Sequence, residues 1–71
     1  MSRQEIDHLV KMATEIAANF SFHADAAERT ADHLTRYWAP PMRQSILDYA
    51  EKSATELSPV LQNALKMLQK P

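Results

Sequence analysis

From Ile6 to Phe20 the apolar residues recur at three- and four-residue spacing. Ile6, Leu9, Val10, Ala13, Ile16, Ala17 and Phe20 fall on one stripe roughly 120° wide when successive residues are turned by 100°. Asp7, Lys11 and Thr14 lie on the opposite side. The pattern predicts an amphipathic helix of about five turns. Ser2 and Glu5 open it as a capping box, each side chain satisfying a backbone N–H at the helix start. The stretch Asn19 to His23 then predicts a turn, in which Asn or Ser takes the place that glycine usually holds at a helix C-terminus.

A second helix is expected after Asp25 and Glu28, which have the spacing of an acidic capping box. Its stripe is narrower: Ala27, Ala31, Leu34 and Trp38. The small residues at 27 and 31 allow another backbone close, with the first helix as the expected neighbour. Asp32 and Arg36 make an i,i+4 pair on the wet side. Pro40 and Pro41 end this helix, because proline lacks an N–H and disfavours the α conformation in the residue before it. Pro41 can also sit in the first turn of a third helix reaching about Lys52, which leaves Trp38 at a corner. Ser58 and Pro59 open a fourth helix through Val60, Leu61, Ala64, Leu65 and Leu68.

These elements predict an all-α fold: a small bundle of three to four helices in a single domain spanning residues 1–71. The first two form an antiparallel hairpin through Leu9, Ala13, Ile16, Ala27, Ala31 and Leu34. A compact chain of this length has a radius of gyration of roughly 11 Å and a thin core. Yet Val60, Leu61, Ala64, Leu65, Met67 and Leu68 spread over roughly 160° of the fourth helix, and Ile46 and Leu47 point in different directions on the third. This surplus apolar surface is expected to meet another protein, or to make the isolated chain self-associating or marginally stable.

Composition narrows the chemistry. The chain has no cysteine and no glycine, which removes disulfides, thiolate metal sites and Gly-rich phosphate-cradling loops. Eight Lys and Arg against nine Asp and Glu are interspersed, unlike the clustered basic face of a nucleic-acid binder. Tyr37 and Trp38 could stack on a base, but without a basic groove core packing or a protein interface is the better reading. No apolar run approaches a membrane span and the start lacks the features of a signal peptide, so a cytoplasmic location is expected. Among His8, His23 and His33 no two stand at i,i+4 spacing, and a site from His23, Glu28 and His33 is weaker than the reading of solvated helix faces. Met12, Met42 and Met67 are read first as gap-fillers. No serine has a recognisable base beside it. The expectation is therefore no catalytic residue, no metal and no cofactor.

The stretch HLTRYWAPPMR, residues 33 to 43, holds the single tryptophan and two of the four prolines. His33, Leu34, Tyr37, Trp38, Pro40, Met42 and Arg43, in the arrangement HLxxYWxPxMR, resemble the signature of the delta subunit of NAD-dependent, molybdenum-containing formate dehydrogenase. The resemblance includes the helix IDHLVKMATEIAANF and the overall length, and thins after about Tyr49. The family pattern reads closer to FWDPRMR, so Ala39 and Pro41 are departures from it. The resemblance implies a non-catalytic accessory subunit that docks on the catalytic subunit of a complex whose larger subunits hold the molybdopterin centre, the iron–sulfur clusters and the flavin, and oxidise formate to carbon dioxide with reduction of NAD. Tyr37, Trp38, Pro40, Met42 and Arg43 are the expected partner-binding residues, with Trp38 packed largely inside and Met42 and Arg43 facing the partner. On that reading Arg43→Ala leaves the fold intact. The alternative is a free-standing helical adaptor or regulator acting as a homodimer.

Overall fold

Each apolar stripe becomes a helix in the computed structural model, which describes residues 3–69. The helices are Arg3–Phe20 (α1), Ala26–Tyr37 (α2), Pro40–Ser53 (α3) and Pro59–Gln69 (α4), with a short 3-10 turn at Ala54–Glu56 before the last. No strand occurs among the described residues. The radius of gyration is 11.0 Å, as expected for a compact chain of this size.

The stripe of α1 is buried as its spacing requires. Leu9, Ala13 and Ala17 enter the core, and Ile6, Val10 and Ile16 pack on its edge. They meet Leu34 from α2, Trp38 just after it, Ile46 from α3, and Leu57, Leu61 and Leu65. The stripe of α2 is rotated from the expected one: Ala26, Thr30, Ala31 and Leu34 are buried, and Ala27 is only half-buried. Thr30 goes unnoticed in a purely apolar pattern. It can be buried because its hydroxyl donates to the Ala26 carbonyl at 2.8 Å, so no polar group is left unpaired.

The main neighbour of α2 also differs from expectation. Although α2 touches α1, it lies against α4 over more of its length than against any other element. Small buried residues on both sides, Ala26 and Ala31 on α2 and Ala64 on α4, suit a close backbone approach. The wide apolar arc of α4 is used in the same way. It faces α1, α2 and α3, so Leu61, Ala64 and Leu65 are buried and Val60 and Leu68 pack on the core. The surplus apolar surface expected on α3 and α4 is therefore largely absorbed, leaving Met67 at 39% exposure. The most exposed large apolar residues are instead Phe22 at 94% and Tyr37 at 72%.

Helix ends hold the remaining corrections. The proposed Ser2 cap lies outside the described residues. Asp25 stands at the N-cap of α2 but makes no side-chain cap bond. It accepts from Arg29 Nε at 2.7 Å, and that bond holds its carboxyl below the usual carboxylate range. No described residue has positive φ, so neither Asn19 nor Ser21 substitutes for glycine in a left-handed turn. The chain leaves α1 through consecutive tight turns, with Ser21 N–H and hydroxyl both donating to the Ala18 carbonyl and His23 N–H to that of Phe20. Ser58 caps α4 as expected, accepting from Leu61 N–H at 3.3 Å.

The Tyr49 hydroxyl of α3 donates to the Glu56 carboxylate in the 3-10 turn. This bond favours the neutral phenol and raises its pKa above the ordinary tyrosine value. A raised pKa means that the stabilisation is complete below about pH 10, the unfolded value, and is lost as pH rises through the folded one. Glu56→Ala is expected to return Tyr49 ionisation toward about 10, read from tyrosinate absorbance in an alkaline titration. An unchanged titration curve would show that the tie has no energetic weight.

Candidate functional site

Residues 33 to 43 cross from α2 to α3. The carboxyl end of a helix leaves its last carbonyls without intrahelical donors, and a glycine in left-handed conformation commonly helps satisfy them. No glycine is available. Trp38 instead leaves the helix in extended conformation, with φ −94° and ψ 139°, and its N–H still donates to the Leu34 carbonyl at 3.1 Å. Ala39 is also extended, at φ −68° and ψ 150°, as the residue before a proline should be. Pro40 and Pro41 then start α3 where missing N–H groups cost nothing. The next donors, Met42 and Arg43 N–H, both reach the Ala39 carbonyl, at 2.9 and 3.2 Å.

Arg43 completes the corner. From the first turn of α3 its Nη1 donates back to the carbonyls of Leu34 at 3.4 Å, Thr35 at 3.2 Å and Trp38. A fixed positive charge thus sits against the negative end of α2, where cations are favourable. Arg43 consequently has a place in the fold, which corrects the expectation that its removal is structurally silent. Met42 is half-buried against the core, so it too serves the fold more than an outward surface. Trp38 is packed inside, at 5% exposure. Of the five expected partner-binding residues, only Tyr37 and Pro40 are exposed.

A second group lies beside the corner, along the outer face of α2. His33 is flanked by two rings, Tyr37 with a centroid distance of 4.7 Å and Phe20 at 6.2 Å. Phe20 in turn lies 6.3 Å from His23. Arg29 and Arg36 border the rings, each held through Nε by an aspartate four residues earlier: Asp25 at 2.7 Å and Asp32 at 2.9 Å. Only the Asp32–Arg36 pair was expected. The line Arg29, His33, Tyr37 at four-residue spacing was visible in the sequence, but hydrophobic patterning passes over a face built of rings and guanidinium groups. No group of three His, Asp or Glu able to hold a metal ion occurs among the described residues. His23, Glu28 and His33 form no such group.

By its fold the chain is a small four-helix protein whose distinctive local feature is a tryptophan–proline corner closed by an arginine. A family model described as NADH-dependent formate dehydrogenase delta subunit FdsD matches residues 8–65. The chain belongs to that family. The match runs past Tyr49, where the resemblance in sequence thinned, and reaches into α4. No curated protein and no solved structure matches the chain.

Two stability measurements test the corner. Trp38→Ala is expected to cost roughly 3–5 kcal/mol as a large-to-small core change, and Arg43→Ala about 1–2 kcal/mol through lost charge-assisted bonds at a helix end. Urea denaturation followed by circular dichroism reads both, and full stability of Arg43→Ala would show the cap to be idle. Conversely, Ala39 is an N-cap with no side-chain bond, so Ala39→Asp, which restores an acidic residue there, should raise stability by about 0.5–1 kcal/mol. A lower denaturation midpoint for that variant would mean that the Met42 N–H cannot take a side-chain acceptor.

Proposed function

We propose that this chain is a non-catalytic accessory subunit of a cytoplasmic NADH-dependent formate dehydrogenase, docking on the catalytic subunit and stabilising the complex or assisting its assembly. The observation that carries the reading is the family match over residues 8–65, which takes in all or part of every helix. Composition supports the non-catalytic role, since a chain without cysteine or glycine has no thiolates for iron–sulfur clusters and no Gly-rich turn for a dinucleotide. Among the described residues no helix is long and apolar enough to cross a membrane, which agrees with a cytoplasmic site of action.

In this reading α1 and α2 form the antiparallel hairpin expected from their stripes, and the corner that follows them docks on the catalytic subunit. Tyr37 and Pro40 supply exposed surface there. Arg43 contributes the N–H groups not used on α2, while Trp38 and Met42 hold the corner in shape from inside. Tyrosine, tryptophan and arginine are the residue types most enriched at interface hot spots.

The test is deletion of the coding sequence in the native cell, followed by purification of the remaining formate dehydrogenase and re-addition of the purified chain. Loss of assembled, formate-oxidising complex that is restored by the chain is the expected result. A complex that assembles and works fully without it, or formate oxidation by the isolated chain, would overturn the proposal.

A further inference from the structure

The four charges at the centre of the outer face of α2 balance, and the order in which they balance is informative. Asp25, Arg29, Asp32 and Arg36 are all exposed. At 100° per residue they fall within about 60° of one another, on the side away from the buried Leu34. Their spacings are four, three and four. Reversing the helix about a point level with Thr30 and Ala31 therefore carries position 25 onto 36 and position 29 onto 32, so that every acid lands on a base. The same reversal carries 37 onto 24 and 22 onto 39. Phe22 and Tyr37, the most exposed large apolar residues, stand at opposite ends of this face, and the reversal brings each ring to the end where the other stands.

Two copies of α2 packed antiparallel about a two-fold axis are related by this reversal. An interface of that kind has to be complementary to itself, whereas a partner of unrelated sequence imposes no relation between the two ends of the helix. The charges already have a role within each chain: Asp25 and Asp32 hold Arg29 and Arg36 through Nε. Among the described residues, however, the Nη groups of both arginines have no acceptor. Across the axis they meet the aspartates of the second copy, and because each guanidinium is already held in place, less side-chain freedom is lost on pairing. Pairing within one helix accounts for the alternating charges but leaves Phe22 and Tyr37 in water at both ends. The antiparallel pair removes both rings from water at once and sets them beside each other, where ring contacts add to the area buried.

We infer that the outer face of α2 is a two-fold interface with a second copy of this chain, in which Asp25 faces Arg36, Arg29 faces Asp32, and Tyr37 of each copy packs beside Phe22 of the other. One helix and a turn make a small contact, near or below the roughly 1,200 Å² low end of specific interfaces, so the pair is weak and concentration-dependent. It is a form of the free chain and does not rest on the docking role. Because it covers Tyr37, which that role places against the catalytic subunit, the two copies have to part before either docks.

The experiment is sedimentation equilibrium of the purified chain alone across a range of concentrations, with circular dichroism to check that each variant is folded. Wild type is expected to pass from monomer to dimer as concentration rises, and more readily at low salt than at high. Tyr37→Ala and Arg36→Asp should each weaken the dimer by about tenfold or more, while Lys66→Glu on α4 leaves it unchanged. The fourfold inversion Asp25→Arg, Arg29→Asp, Asp32→Arg and Arg36→Asp keeps every pair within and between copies. It is expected to dimerise with itself but not with isotopically labelled wild type, read by native mass spectrometry of the mixture. A chain that stays monomeric at every concentration, a dimer that Tyr37→Ala and Arg36→Asp leave as tight as before, or mixed pairs formed as readily as self-pairs would each overturn the inference. None of these outcomes bears on docking, which the deletion experiment tests separately.

Discussion

The structure depends on how helix ends are closed in a chain that contains no glycine. Each helix that stops inside a fold leaves carbonyls in need of donors, and the left-handed residue that often helps supply them is missing at every turn here. The protein answers differently each time. After α1 a serine N–H and hydroxyl share one carbonyl. After α3 the backbone tightens into a 3-10 turn, where the Leu57 N–H donates to the Ala54 carbonyl at 3.0 Å. After α2 an arginine from the next helix reaches back. Only the last of these solutions joins two helices through a side chain.

That choice sets the geometry around it. With Arg43 tied to the end of α2 and two prolines stiffening the start of α3, the backbone between these two helices is extended at Trp38 and Ala39. Leu34 and Trp38 are then carried into the core. Four-residue helical spacing leaves Arg29, His33 and Tyr37 along a different line of α2. The features that belong to the fold and those available to a partner are thus interleaved on one short helix.

Helix existence was legible because apolar spacing is a direct consequence of burial on one face, and all four predicted helices were found with starts and stops close to those expected. The corner was legible for the same reason: proline has one fixed set of backbone consequences wherever it occurs. Capping was less so. Asp25 had a choice between the backbone of its own helix and Arg29, and sequence spacing does not rank the two. Arg43 was read as outward-facing because its carbonyl acceptors come from the preceding helix and are invisible in a pattern of residue types. Thr30 was missed because its hydroxyl becomes compatible with burial only when a carbonyl four residues back is counted. Packing partners were the least legible, since the breadth of the apolar arc on α4 suggested spare surface and in fact reflects three neighbours.

That position of α4 bears on the order in which the protein can be made. Synthesis delivers the chain from its N-terminus, and Leu61 and Leu65, both almost wholly enclosed, arrive late. Until Pro59–Gln69 is free to dock, α1, α2 and α3 have no cover for the side of the core that α4 occupies. The early helices can form locally on the ribosome, but their tertiary structure has to wait for α4. A newly made chain therefore passes through a stage in which the side of the core that α4 closes is open.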